Sequence, residues 1–154
     1  MLLNPKFQHL MKPWFLISTC IILTGISCGR KATLFEKIPS SQSAITFNNK
    51  IVESDSLNPM EEINIYNGGG VGIGDFNNDG LPDIYFTGNQ VSNKLYLNEG
   101  GFKFKDVTEE AKVGGEGRWC RGVSVIDMNN EEMLDIYIAV TRSKDPQKRQ
   151  NLLY

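Results

Sequence analysis

The sequence predicts an all-β fold made of repeated four-stranded units, the architecture of β-propeller blades, and two observations carry that prediction. After Gly68 the chain is a succession of short apolar runs separated by Gly, Asn and Asp, which is how short strands and tight turns read. The stretch from Val71 to Gly88 then recurs from Val123 to Val140, 52 positions later. A repeat of about 50 residues built of four strands fits a propeller blade better than a solenoid or a sandwich. One unit covers about 68–113 and part of a second about 117–154. The domain starting at residue 44 therefore holds the first one to two blades of a ring that takes about four to eight. Such a piece cannot close its ring or cover its own faces, so the chain is expected to be a fragment with the rest of the propeller missing.

Ahead of that domain, Lys6 and Lys12 precede an apolar run from Trp14 to Ile26, and no acidic residue occurs before Glu36. A basic start, a short apolar core and small residues near Ser27 mark an export signal over residues 1–27. The run of about 13 residues is shorter than the roughly 20 that a retained membrane-spanning helix needs. Cys28 follows Gly25-Ile26-Ser27. This resembles the lipobox of bacterial lipoproteins, with Gly25 where leucine is usual, and the resemblance implies lipidation of Cys28; an ordinary signal would leave that thiol free. Residues 28–43 read as a tether.

Loss of residues 1–27 takes Lys6 and Lys12 from the 16 basic residues and leaves 14 against 18 acidic ones, a net charge of −4. That balance gives no reason to expect a nucleic acid as partner. The only histidine, His9, leaves with the signal, which excludes imidazole acid–base chemistry and His-ligated zinc from the mature part.

The elements follow in order. Ala44–Phe47 opens one expected strand near 45–52, and Glu53–Pro59 is a polar loop. Val71-Gly-Ile73, Ile84-Tyr-Phe86 and Leu95-Tyr-Leu97 are the next strands. Phe102-Lys-Phe104-Lys alternates strictly, as a half-buried strand does, and Glu99-Gly100-Gly101 is the hairpin turn before it. Thr108 is placed to cap a short helix, Glu109 and Glu110 to favour its positive end, and Gly114-Gly115 to stop it. The glycines from Gly68 to Gly74 permit close backbone packing where the inner strand begins. They make no dinucleotide loop, because Ile73 and Asp75 fall where a third glycine belongs and no helix follows. Tyr85, Tyr96, Trp119 and Tyr137 read as core or inter-blade packing ahead of a sugar-binding platform. Cys120 reads as a buried small residue.

The chemistry lies in the loop from Asp75 to Asp83. Asp75, Asn77 and Asp79 alternate, and Gly80 allows the sharp turn that brings their side chains together. Asp83 closes the set, and Leu81 adds its backbone carbonyl. Three carboxylates, one amide and a carbonyl make an all-oxygen set, which suits calcium better than magnesium or zinc. Without a cation, three carboxylates at close range repel one another. The alternative is an Asx-rich turn that binds nothing. An EF-hand fails, since its twelfth position, counted from Asp75, is Phe86 and the flanks are strands. In the second copy Asp127, Asn129 and Asp135 persist, with Glu131 in place of Asp79 and Glu132 in place of Gly80. That loop stands between a weaker calcium site and a vestigial turn.

The run Gly74-Asp-Phe-Asn-Asn-Asp-Gly-Leu-Pro-Asp-Ile84 resembles the FG-GAP/VCBS-type repeat, whose loops hold calcium in the blades of integrin α-chain propellers. Trp119-Cys-Arg-Gly-Val123 and the run from Gly88 to Asn98 resemble bacterial lipoproteins related to cartilage acidic protein and the ASPIC/UnbV group. Over about residues 44–154 the resemblance implies a seven-bladed propeller and export to the bacterial outer membrane or cell surface. It also implies binding or adhesion toward a protein or glycan ligand. No nucleophile–base pair is visible, so no catalysis is expected from these residues. The alternative is a scaffold for a larger secreted enzyme with its catalytic residues beyond Tyr154.

Overall fold

The computed structural model describes residues 33–115, 117–143 and 145–154. The export signal over 1–27 and the lipidation position Cys28 lie outside the described residues. The chain divides into two compact units, Met1–Glu36 and Lys37–Tyr154, and every element below belongs to the second. That unit takes in residues 37–43, where a short helix α1 (Ser40–Ser43) places Ser43 in a buried position. Among the described residues no helix is long and apolar enough to cross a membrane.

The unit is all-β, with two antiparallel sheets. The first is a meander of β1 (Val71–Gly74), β2 (Asp83–Phe86), β3 (Lys94–Asn98) and β4 (Phe104–Asp106). A short helix α2 (Thr108–Ala111) leads to the second sheet of β5 (Trp119–Ile126), β6 (Asp135–Arg142) and β7 (Leu152–Leu153). A 3₁₀ turn, Pro146–Arg149, separates β6 from β7.

The two sheets repeat in register as well as in sequence. Ile73 pairs with Ile84 and Tyr85 with Leu95; Val125 pairs with Ile136 and Tyr137 with Leu153. A side-chain clamp repeats with them. Asn93 accepts from the Gly88 N–H at 2.8 Å and donates to the Tyr85 hydroxyl at 2.9 Å. Asn151 accepts from the Val140 N–H at 2.9 Å and donates to the Tyr137 hydroxyl at 2.6 Å. Each asparagine thus replaces the ladder bond that the outgoing loop interrupts.

The core lies between the sheets, where Tyr85 and Leu95 meet Ile136, Ile138 and Val140, with Val107, Val113 and Cys120 closing the edge. Cys120 is a buried free thiol, and burial raises its pKa. The glycines of β1 let the sheets come this close. A Cβ on Gly70 would stand 2.7 Å from the Arg121 carbonyl oxygen, and one on Gly72 would stand 2.9 Å from Val125 Cγ2. Thr87 bolts the same seam, its hydroxyl accepting from Gly70 N–H at 2.5 Å and donating to the Arg121 carbonyl at 2.6 Å.

Four local expectations are corrected. No strand forms over 45–52, because its backbone bonds to side chains of the first sheet: Thr46 N–H donates to the Tyr96 hydroxyl at 3.4 Å, Val52 N–H donates to Gln90 at 2.5 Å and the Val52 carbonyl accepts from Gln90 at 3.0 Å, while the Asn49 side chain exchanges two bonds with Asn89. Phe47 from this segment stacks on Phe86, ring centroids 5.0 Å apart. Phe102 belongs to the hairpin turn, at φ 60° and 62% exposed, so β4 begins only at Phe104. Thr108 is not the cap of α2 but its first residue; Val107 is the N-cap, and the Thr108 hydroxyl accepts from Leu95 N–H at 2.9 Å. The helix ends at Lys112 in the left-handed region, ahead of the glycines expected to stop it. Of the four aromatic residues, Tyr85, Tyr96 and Trp119 are buried as core, while Tyr137 is 39% exposed.

Candidate metal centre

The turn between β1 and β2 gathers three of the expected ligands. Asp75 accepts from the N–H groups of Asp79 at 3.1 Å and Gly80 at 2.7 Å. Asn77 accepts from the same Asp79 N–H at 3.2 Å and donates to the Asp79 carboxylate at 2.8 Å. Asp79 in turn accepts from Leu81 N–H at 2.8 Å. Positive φ at Asn78 (57°) and Gly80 (85°) makes the backbone curl, which is why alternate side chains converge.

Asp83 stands differently. It is fully buried, and its two oxygens accept from Phe76 N–H at 2.9 Å and Asn98 N–H at 2.8 Å. This carboxylate ties the start of the turn to the end of β3. Asn98 completes the tie, donating to the Pro82 carbonyl at 2.9 Å and accepting from Gly100 N–H at 2.9 Å. Sequence reasoning did not single out Asn98; an asparagine two residues before a turn glycine is the signal that marks it.

The second turn reproduces four of the first turn's bonds. Asp127 accepts from Glu131 N–H at 3.2 Å and Glu132 N–H at 3.0 Å, Asn129 accepts from Glu131 N–H at 3.3 Å, and Asp135 accepts from Met128 N–H at 2.9 Å. Asn130 sits at φ 59° and Glu132 at φ 68°, so a glutamate holds the left-handed position that Gly80 fills in the first turn. Burial pushes the Asp127 carboxyl up, but the N–H groups of Glu132, Asn130, Glu131 and Asn129 outweigh it, and its pKa lies below the ordinary value. The two turns touch, Asn78 donating to the Glu132 carbonyl at 3.1 Å.

Among the described residues no three His, Cys, Asp or Glu side chains form a metal-binding group. The donors of the first turn are nevertheless all oxygens on an exposed bend, and an ionised carboxylate keeps acceptor capacity beyond one N–H bond per oxygen. In donor kind the turn suits a hard cation such as calcium.

A curled, oxygen-lined turn between two strands, repeated 52 positions on, defines a class of β-repeat module. The family model described as an FG-GAP-like repeat matches residues 75–138. That match spans both turns and supports an FG-GAP/VCBS repeat protein. No curated protein and no solved structure matches the chain.

Proposed function

We infer that an FG-GAP-like repeat module gives this chain an extracellular ligand-binding or adhesion role. We propose that this chain carries calcium-braced blades of an exported propeller, a lipoprotein of the bacterial outer membrane or cell surface akin to the ASPIC/UnbV and cartilage acidic protein group. It binds a protein or glycan ligand and is not an enzyme. The observation that carries the reading is the shared turn geometry: Asp75 and Asn77 accept from the Asp79 N–H and Asp75 from the Gly80 N–H, and in the second turn Asp127 and Asn129 accept from the Glu131 N–H and Asp127 from the Glu132 N–H.

In this reading Asp75, Asn77, Asp79, the Leu81 carbonyl and Asp83 hold calcium, with Asp83 also fixing the turn from beneath. Asp127, Asn129, Glu131 and Asp135 form a weaker second site. The cation's charge offsets the repulsion among carboxylates and so fixes the angle between β1 and β2. Repeat equivalence supports further blades. Val123, Val125, Ile136 and Ile138 receive the first sheet; their counterparts 52 positions earlier are Val71, Ile73, Ile84 and Phe86. Val71 is 57% exposed and Ile73 64%, as a face awaiting a neighbouring sheet would be.

Isothermal titration of the full chain with calcium tests the assignment. Wild type releases heat on binding and Asp79→Ala loses most of it; equal heats for the two would refute the site.

A further inference from the structure

The ends of the sheets opposite the acidic turns carry the reverse charge. Trp119 pairs with Arg142 at one end of β5–β6 and Ile126 with Asp135 at the other. The two ends are therefore separated by about eight residues of strand, roughly 25 Å. Two adjoining cavities open at the Arg142 end, of about 440 and 470 Å³, and they share Arg142 and Ser143 in their walls.

The second cavity is lined by Arg121, Arg142 and Arg149 with Thr141, against one acidic residue, Glu62. Glu62 is already engaged, 3.0 Å from Arg142. Apart from the Glu62 carboxylate on Arg142, the guanidinium planes are set by neutral partners. Arg121 donates to the Thr141 hydroxyl and the Asn64 carbonyl, each at 3.0 Å, and Arg142 donates to the Ser56 carbonyl at 3.2 Å while lying over the Trp119 ring, 5.9 Å from its centroid. Each guanidinium has five N–H donors, so these bonds orient the group and leave donors for a ligand. Arg149, on the 3₁₀ turn, is exposed. The first cavity continues the surface with hydroxyls and amides, among them Ser54, Ser92 and Gln90, and no described acidic residue lines it. Among the described residues the buried Trp119 indole N–H has no hydrogen-bond partner.

We propose that this paired groove is the ligand site and that it takes an anionic glycan, a chain of hexoses bearing carboxylate or sulfate groups. Arginine forks match such oxyanions two bonds at a time, and the hydroxyl and amide walls match sugar hydroxyls. An acidic peptide fits less well, because tight peptide docking needs open apolar or aromatic pockets, and of the groove's apolar members among the described residues Leu57 and Val91 are aliphatic while Trp119 is buried with Arg142 over its ring. The inference rests on the ligand-binding reading above and names its ligand class.

The test is titration of the intact chain, in calcium, with oligogalacturonate, a heparin-derived oligosaccharide, neutral dextran oligomers and poly-glutamate. One or both anionic glycans bind, which separates carboxylate from sulfate as the recognised group, and dextran does not. Arg149→Gln weakens binding several-fold and Arg121→Gln with Arg149→Gln at least tenfold, while Lys105→Gln on the first sheet changes nothing. Among the described residues Arg149 makes no hydrogen bond or ion pair that its loss would break, so its variant stays interpretable if the double one misfolds. Dextran binding as well as the charged glycans, poly-glutamate binding tighter than either, or Arg149→Gln binding as wild type would each overturn the proposal. Calcium-induced melting shifts, recorded on the same samples, separate the two readings: no glycan binding with that shift intact sinks the groove alone, and loss of the shift sinks the calcium brace.

Discussion

At the level of single residues, Asp83 and Glu132 are the most informative. Asp83 holds two backbone N–H groups from within the fold, so its removal is felt with or without a cation. Asp83→Ala is expected to cost about 3 kcal/mol in chelator, since charged hydrogen bonds and the orphaned donors both count; urea unfolding measures it. Asp79→Ala, on an exposed bend, should change stability in chelator by well under 1 kcal/mol and act only when calcium is present. Glu132 at φ 68° occupies backbone that favours glycine. Glu132→Gly should therefore stabilise the second turn by about 1 kcal/mol, visible as a higher melting temperature.

Among the elements, the seam of β1 against β5 depends on missing side chains. A methyl on Gly72 would press on Val125 at 2.9 Å and Val123 at 3.2 Å. Gly72→Ala should cost about 1–3 kcal/mol as the sheets move apart, and Trp119 fluorescence should then report a looser packing at the same temperature. The β5–β6 turn has its own signature with pH. The Asp127 pKa is lower in the fold than in the unfolded chain. Its stabilising effect is therefore complete above the unfolded value of about 3.9 and disappears as pH falls through the folded value below it. Asp127→Asn should flatten the loss of melting temperature below about pH 4 relative to wild type, and differential scanning calorimetry across that range decides it.

On the scale of the whole molecule, charge is sorted along the sheets. Asp75, Asp79, Asp127 and Glu131 stand at one end, Arg121, Arg142 and Arg149 at the other. In the proposed reading a cation braces the first end and an oxyanion binds at the second, so the sheets would act as a spacer between a structural site and a recognition site. Millimolar calcium should raise the melting temperature of the full chain, and Asp127→Ala should retain most of that rise if the first turn is the stronger site. An unchanged melting temperature on adding chelator would remove the brace from this picture.

What the sequence determined by itself was local and periodic. Strand positions, the 52-residue repeat and the curl around Asp75, Asn77 and Asp79 follow from alternation, glycine placement and Asx chemistry, all of which act over a few residues. The family model's match over residues 75–138 rests on the same signals. Tertiary structure alone decided the rest. Residues 45–52 stay irregular because Tyr96 and Gln90, distant in sequence, take the backbone groups of Thr46 and Val52. Asp83 is buried because β3 brings Asn98 N–H beneath it. The arginine groove exists only because β5, β6 and the segment around Ser56 and Glu62 meet at one end. Such contacts depend on which side chains the folded sheets bring within reach, and no short window of sequence contains that information.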